Sequence, residues 1–223
     1  TVQGTNALSP FAGIGMDGPN DAVVIKPILD KPYGLIVSHG LNPILNRIDP
    51  YWGSIWAATE SVSNYVAVGG NYKDASLINN YIWPFPDEEW LWSLDRSVTA
   101  VCDFMKALSI PVISGKDSLS STYRTSDGFV LHSPPTLCIS AFGKIPDVKK
   151  TVSSDFKKMG STIVLVGKQD LVNEVPRVDL KLLPKVQIQS HPLLSSGKSD
   201  GKAFLLLSTD KSLCGALNSN LFR

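Results

Sequence analysis

The chain has 223 residues, 43% of them hydrophobic and 18% charged, with 21 basic against 20 acidic side chains. That composition excludes intrinsic disorder and argues against a broad surface for nucleic acid, although a local basic pocket survives any average. Three cysteines, Cys102, Cys138 and Cys214, are odd in number and far apart, which points away from a disulfide framework or a zinc site and towards reduced, buried thiols in a cytoplasmic protein.

The first ten residues, TVQGTNALSP, carry neither a basic n-region nor an apolar h-region, and no apolar run reaches the roughly 18 residues of a membrane span, so a soluble protein without membrane contact is expected. With no initiator Met, the chain reads as a piece of something longer. DAVVIKPIL (21–29) and YGLIVSHGL (33–41) are β-branched apolar runs split by the turn-like DKPY, and predict paired strands. DPYWGSIWAATESVSNYVAVGG (49–70) opens on an Asp-Pro cap, keeps Ile55, Ala58, Val62 and Val66 at helical intervals and closes on two glycines, which predicts a helix. A second helix is predicted over 87–108, with acidic residues in its first turn where the macrodipole favours them.

IPVIS (110–114) and PPTLCISAFGKI (134–145) then read as strands, with a hairpin in YRTSDGFVLHS between them. Alternating strands and helices predict an α/β or α+β fold. Polarity rises through 147–160, which suggests a domain boundary there, and STIVLVG (161–167) restarts an apolar strand.

Three places carry residues suited to phosphate or metal chemistry. Glu60 and Asn64, four apart on the first long helix, share a face one turn apart, where Mg²⁺ with its oxygen ligands would reach both; the plain alternative is a solvated Glu and a polar Asn. Asp21 leaves the tight turn GPND at the mouth of a strand, as a hard oxygen ligand or as a turn former. SGKDS (114–118) follows a strand with a Gly, an ammonium and hydroxyls, the inventory an oligophosphate wants, but it lacks the spacing of a Walker loop, and Lys116 reads equally as a surface lysine in a β-turn. His39, His132 and His191 have no metal-ligand spacing, Cys214 has no base or acid nearby, and the five tryptophans are expected to pack a core or interface.

In order, GPNDAVVIKP, SHGLNP, DPYWGSIWAATESVSNYVAVGG, ISGKDSLSSTY and SPPTLCISAFGKIPDV resemble the aminoimidazole-ribonucleotide-synthetase-like half-domain of the phosphoribosylformylglycinamidine synthase family, over about residues 15–150. The resemblance implies an AIR synthase N-terminal-like domain at 1–150 whose mixed sheet pairs into a barrel at a two-fold interface. A partial C-terminal-like α/β subdomain would follow at 151–223. It further implies Mg²⁺ with ATP or ADP, the metal held by Asp21, Glu60 and Asn64, and Lys116, Asp117 and Ser118 lining the phosphate or substrate side. No catalytic residue is assigned. The implied reaction, in purine biosynthesis, is the ATP- and glutamine-dependent conversion of formylglycinamide ribonucleotide to its amidine. Its implied partners are a glutaminase domain or subunit and a second synthetase-like half or homodimer.

Two departures shape that expectation. Gly40 stands in the neighbourhood where shorter members of the family carry an acidic residue, which argues against a second metal at this site, and beyond Val186 the phrases of the family can no longer be followed. The alternatives are a non-catalytic nucleotide-binding or dimerisation half-domain of the same enzyme, and a related kinase acting on thiamine phosphate or selenide.

Overall fold

The computed structural model of the chain describes residues 4–162, and these fall into two units, one of 4–10 with 20–153, the other of 11–19 with the residues from 154 onward. The first unit holds the sheet and helices. Strands β1 (Asn6–Leu8), β4 (Ala22–Ile25), β5 (Gly34–Leu41), β6 (Ser76–Ile82), β7 (Val112–Ser118) and β10 (Thr136–Ile145) form one sheet in the order β1-β4-β5-β10-β6-β7. In the second unit, β2 (Phe11–Ala12) and β3 (Gly18–Pro19) make a two-residue ladder.

Helix α1 (Pro43–Ile48) and helix α2 (Pro50–Ala67) follow β5 and meet at Asp49. The Asp49 side chain accepts from the amides of Tyr51 and Trp52, while its own amide closes α1 on the Leu45 carbonyl. α2 ends where the backbone turns left-handed at Gly69, with φ of 107°. The links from β6 through α3 (Glu88–Leu108) to β7 form a βαβ crossover, the one parallel pairing in an otherwise antiparallel sheet. β8 (Thr122–Arg124) and β9 (Val130–His132) are the expected hairpin.

The helices cover one face of the sheet. Along β5, Gly34, Ile36, Ser38 and Gly40 are buried while Leu35, Val37, His39 and Leu41 are not, and β10 repeats the alternation with Leu137, Ile139 and Ala141. Val24, Ile36, Ala57, Ala58, Leu77 and Ile139 form the dry centre between sheet and α2, and Trp83 closes it near α3, its indole donating to Ser93. The alternate residues leave the other face of the sheet open.

The implied barrel is not formed. Among the described residues, β1 and β7 lie at opposite ends of the strand order and each pairs on one side only, so the sheet they form is an open, mixed one. β1 is three residues long with a register shift against β4, and β7 presents Lys116 along its outer edge, both of which discourage further pairing. The strand expected at 161–167, the divergent tail beyond Val186, His191 and Cys214 lie outside the described residues, wholly or beyond residue 162. Among the described residues, no helix is long and apolar enough to cross a membrane.

Candidate functional site

β4 stops short of β5. Its last ladder pair is Ala22 with Ser38, so residues 39–41 of β5 run on without a strand on that side. Helix α2 fills the gap. Glu60 Oε2 accepts from the Leu41 amide at 2.8 Å, and Asn64 Nδ2 donates to the His39 carbonyl at 3.0 Å. Asp21 is the residue immediately before Ala22, at the entry to β4.

The i, i+4 spacing on α2 thus brings Glu60 and Asn64 to one three-residue stretch of β5. Glu60 is 2% exposed and Asn64 7%, which rules out the solvated pair as a reading of this helix face. Gly40 lets the helix approach so closely: a Cβ there would run into the Ala57 carbonyl oxygen and lie 2.6 Å from the Ser61 amide. No acidic side chain fits at that position. Ser38 adds a further tie, its hydroxyl donating to the Ser61 carbonyl at 2.7 Å.

Charge at this end of the sheet is tuned by burial. Desolvation raises the pKa of Asp21, partly offset by a hydrogen bond from its own amide. The Cys138 thiol, paired by register with Leu41, is raised by burial and then by the Glu60 carboxylate. His39 is pulled below its ordinary value by burial. Among the described residues, no three His, Cys, Asp or Glu side chains gather as a metal cage. Two carboxylates and an amide nonetheless suit Mg²⁺, which takes one or two protein carboxylates and fills its shell with water and phosphate oxygens.

SGKDS is not a loop. It is the second half of β7, held extended by parallel pairing to β6, with Asn80 beside Lys116 and Ile82 beside Ser118. The strand period then separates its side chains. Lys116 and Ser118, hydrogen-bonded to each other, share the open face with Asn80, whereas Gly115 and Asp117 face α3, in a cleft of about 360 Å³ lined also by Asn79, Tyr81, Leu94 and Val98. Lys116 also stands apart from the first group: β7 is three ladders from β5 and four from β4, or about 14 and 19 Å at ordinary strand spacing. The structure brings Glu60 and Asn64 together at residues 39–41 of β5, leaves Asp21 just ahead of β4, whose first residue pairs with Ser38, and does not bring Lys116, Asp117 and Ser118 to Glu60 and Asn64.

Sequence reasoning missed the pairing of His39 Nδ1 with Ser140 Oγ at 2.9 Å on the open face. The period-2 pattern of YGLIVSHGL put His39 opposite the buried Ile36 and Ser38, but nothing local names Ser140, 101 residues on, as its partner. Next to it, Leu41, Cys138, Asn80 and Lys116 form one cross-strand row.

The family model for AIR synthase related protein, N-terminal domain, matches residues 19–145. The chain is 35% identical over 169 residues to phosphoribosylformylglycinamidine synthase subunit PurL of Thermoplasma volcanium, covering 75% of this chain and 21% of that protein. Among solved structures it is similar to PurLQS from Thermotoga maritima, with a TM-score of 0.55 and 26% identity over 69% of this chain and 23% of that one. It is also similar to T. maritima PurL complexed with ADP (TM-score 0.52, 26% identity, 66% of this chain and 22% of that one) and complexed with FGAR (0.52, 26%, 68% and 22%). The chain spans about a fifth of the length of the curated relatives it matches.

Proposed function

The chain belongs to the PurL/AIR-synthase-like family, and on that premise we propose that it is a nucleotide-binding half-domain of a phosphoribosylformylglycinamidine synthase, holding Mg-ATP or Mg-ADP against the open face of its sheet. The observation that supports this reading is the meeting of the buried Glu60 and Asn64 at residues 39–41 of β5, with Asp21 one residue ahead of the β4 position that pairs with Ser38. That T. maritima PurL is complexed with ADP and with FGAR supports it.

In this reading Asp21 and Glu60 hold the cation and Asn64 fixes the strand beside it. Bound magnesium supplies neutralisation of phosphate charge. Lys116 and Ser118, on the same open face, donate to phosphate or substrate at the far end, and Asp117, on the other face, takes no part. The whole enzyme is read as an ATP-dependent C–N ligase of purine biosynthesis. It phosphorylates the amide oxygen of formylglycinamide ribonucleotide, and ammonia from a glutaminase domain or subunit then displaces the phosphate to leave the amidine. Turnover belongs to that assembly, and this chain contributes a binding face.

One observation favours a second reading, in which the half-domain is structural. The bonds from Leu41 to Glu60 and from Asn64 to His39 replace the ladder that β4 does not supply, so both side chains also hold the fold. Glu60→Gln separates the two roles. An amide oxygen still accepts from Leu41, so the variant keeps its melting temperature within a few degrees, while titration calorimetry with Mg-ADP shows affinity reduced at least tenfold. Unchanged affinity with a strongly lowered melting temperature would leave only the structural role.

A further inference from the structure

His39 is the polar side chain of the open face closest in sequence and register to the proposed metal group, and the assignments above do not use it. Its carbonyl is the acceptor for Asn64, the amide two residues on is the donor to Glu60, and its neighbour Ser38 pairs with Ala22, the residue after Asp21. In the nucleotide reading, a phosphate carried by a cation at Asp21 and Glu60 approaches the stretch of β5 that carries this imidazole. Its ring is also oriented. Ser140, its direct ladder partner on β10, holds Nδ1 at 2.9 Å, and among the described residues Nε2 has no partner.

With the Ser140 hydroxyl donating to Nδ1, the neutral ring carries its proton on Nε2 and presents a donor to the open face. Such an arrangement, one ring nitrogen fixed by a neighbour so that the other is aimed, is how proteins set an imidazole for a ligand. Asp21 and Glu60 repel a bare phosphate, and Lys116 is about three strand spacings away. His39 is thus the donor that this end of the face offers to an anion. We propose that His39, oriented by Ser140, contacts the phosphate chain of the bound nucleotide directly, independently of the metal.

This rests on the nucleotide reading above, and the test separates the two. Calorimetry of the full chain with adenosine, AMP and ADP, each with Mg²⁺ and with EDTA, is compared for wild type, His39→Ala, His39→Gln and Ser140→Ala, with folding checked by circular dichroism. A lost hydrogen bond to a charged group corresponds to roughly a tenfold weakening or more. His39→Ala is expected to lose about that factor for AMP and ADP in both buffers and nothing for adenosine. His39→Gln, whose amide reaches a similar position, should recover most of it, and Ser140→Ala should fall between. Equal binding by wild type and His39→Ala, or an equal loss for adenosine, overturns the contact while leaving the nucleotide site in place. Wild type that binds no nucleotide in either buffer overturns the underlying reading and this inference together.

Discussion

At Asp21 the chain keeps a carboxylate where burial penalises its charge, which is the mark of a group waiting for a cation or of a turn former tolerated at some cost. Because burial raises its folded pKa above the unfolded 3.8, the penalty is complete above the folded pKa, shrinks as pH falls through it, and is gone below 3.8. Asp21→Asn is accordingly expected to melt above wild type at pH 7 in EDTA, with the gap closing under acid. Added Mg-ADP should reverse the order by stabilising only wild type. Scanning calorimetry across pH checks both, and a variant that melts lower at pH 7 without ligand would show instead that the turn requires the carboxylate. At this scale the sequence was partly legible. The i, i+4 relation of Glu60 and Asn64 was plain from spacing, and so was the candidacy of Asp21. That Glu60 is buried, and that His39 answers to Ser140, depends on contacts between residues far apart in the chain.

Elements with strong local signals appear where the pattern put them. β4, β5 and β10 follow apolar β-branched runs, and α2 and α3 begin at Asp49 and Asp87 and end close to the expected stops. α1 was not seen, since six residues are too few to show a helical period, and it rests on the Asn42 cap and Pro43. β6 was hidden by its central Asn79-Asn80, a poor strand pair by propensity that holds because β10 and β7 flank it on both sides. The same pairing stretches SGKDS into a strand against its turn-like composition. Asp49 shows what a local signal contributes in energy. It closes one helix with its amide and opens the next with its carboxylate, and Asp49→Ala should lower unfolding stability by about 1–2 kcal/mol, with Asp49→Asn costing only a fraction of that, as read by chemical denaturation. Equal losses for Ala and Asn would mean that charge, not the two hydrogen bonds, is what the helix start needs.

At the scale of the sheet, the barrel was implied by resemblance and not by these residues, because closure depends on what meets the strand edges, and among the described residues the sheet ends at β1 and β7 with each outer edge unpaired. What the open sheet does provide is a span. Glu60 sits at the edge of β5 beyond the end of β4, and Lys116 on β7, three strands and about 14 Å away across β10 and β6. A nucleotide lying across that span is held at two ends by two kinds of interaction. Glu60→Gln should remove the magnesium-dependent share of ADP affinity, Lys116→Ala a share that survives EDTA, and, since sites so separated act independently, the double variant should lose the sum to within about 0.5 kcal/mol. Calorimetry on the four proteins completes the cycle. A combined loss well short of the sum would mean that both side chains act on one phosphate group, and the two-ended placement of the nucleotide across the sheet would be wrong.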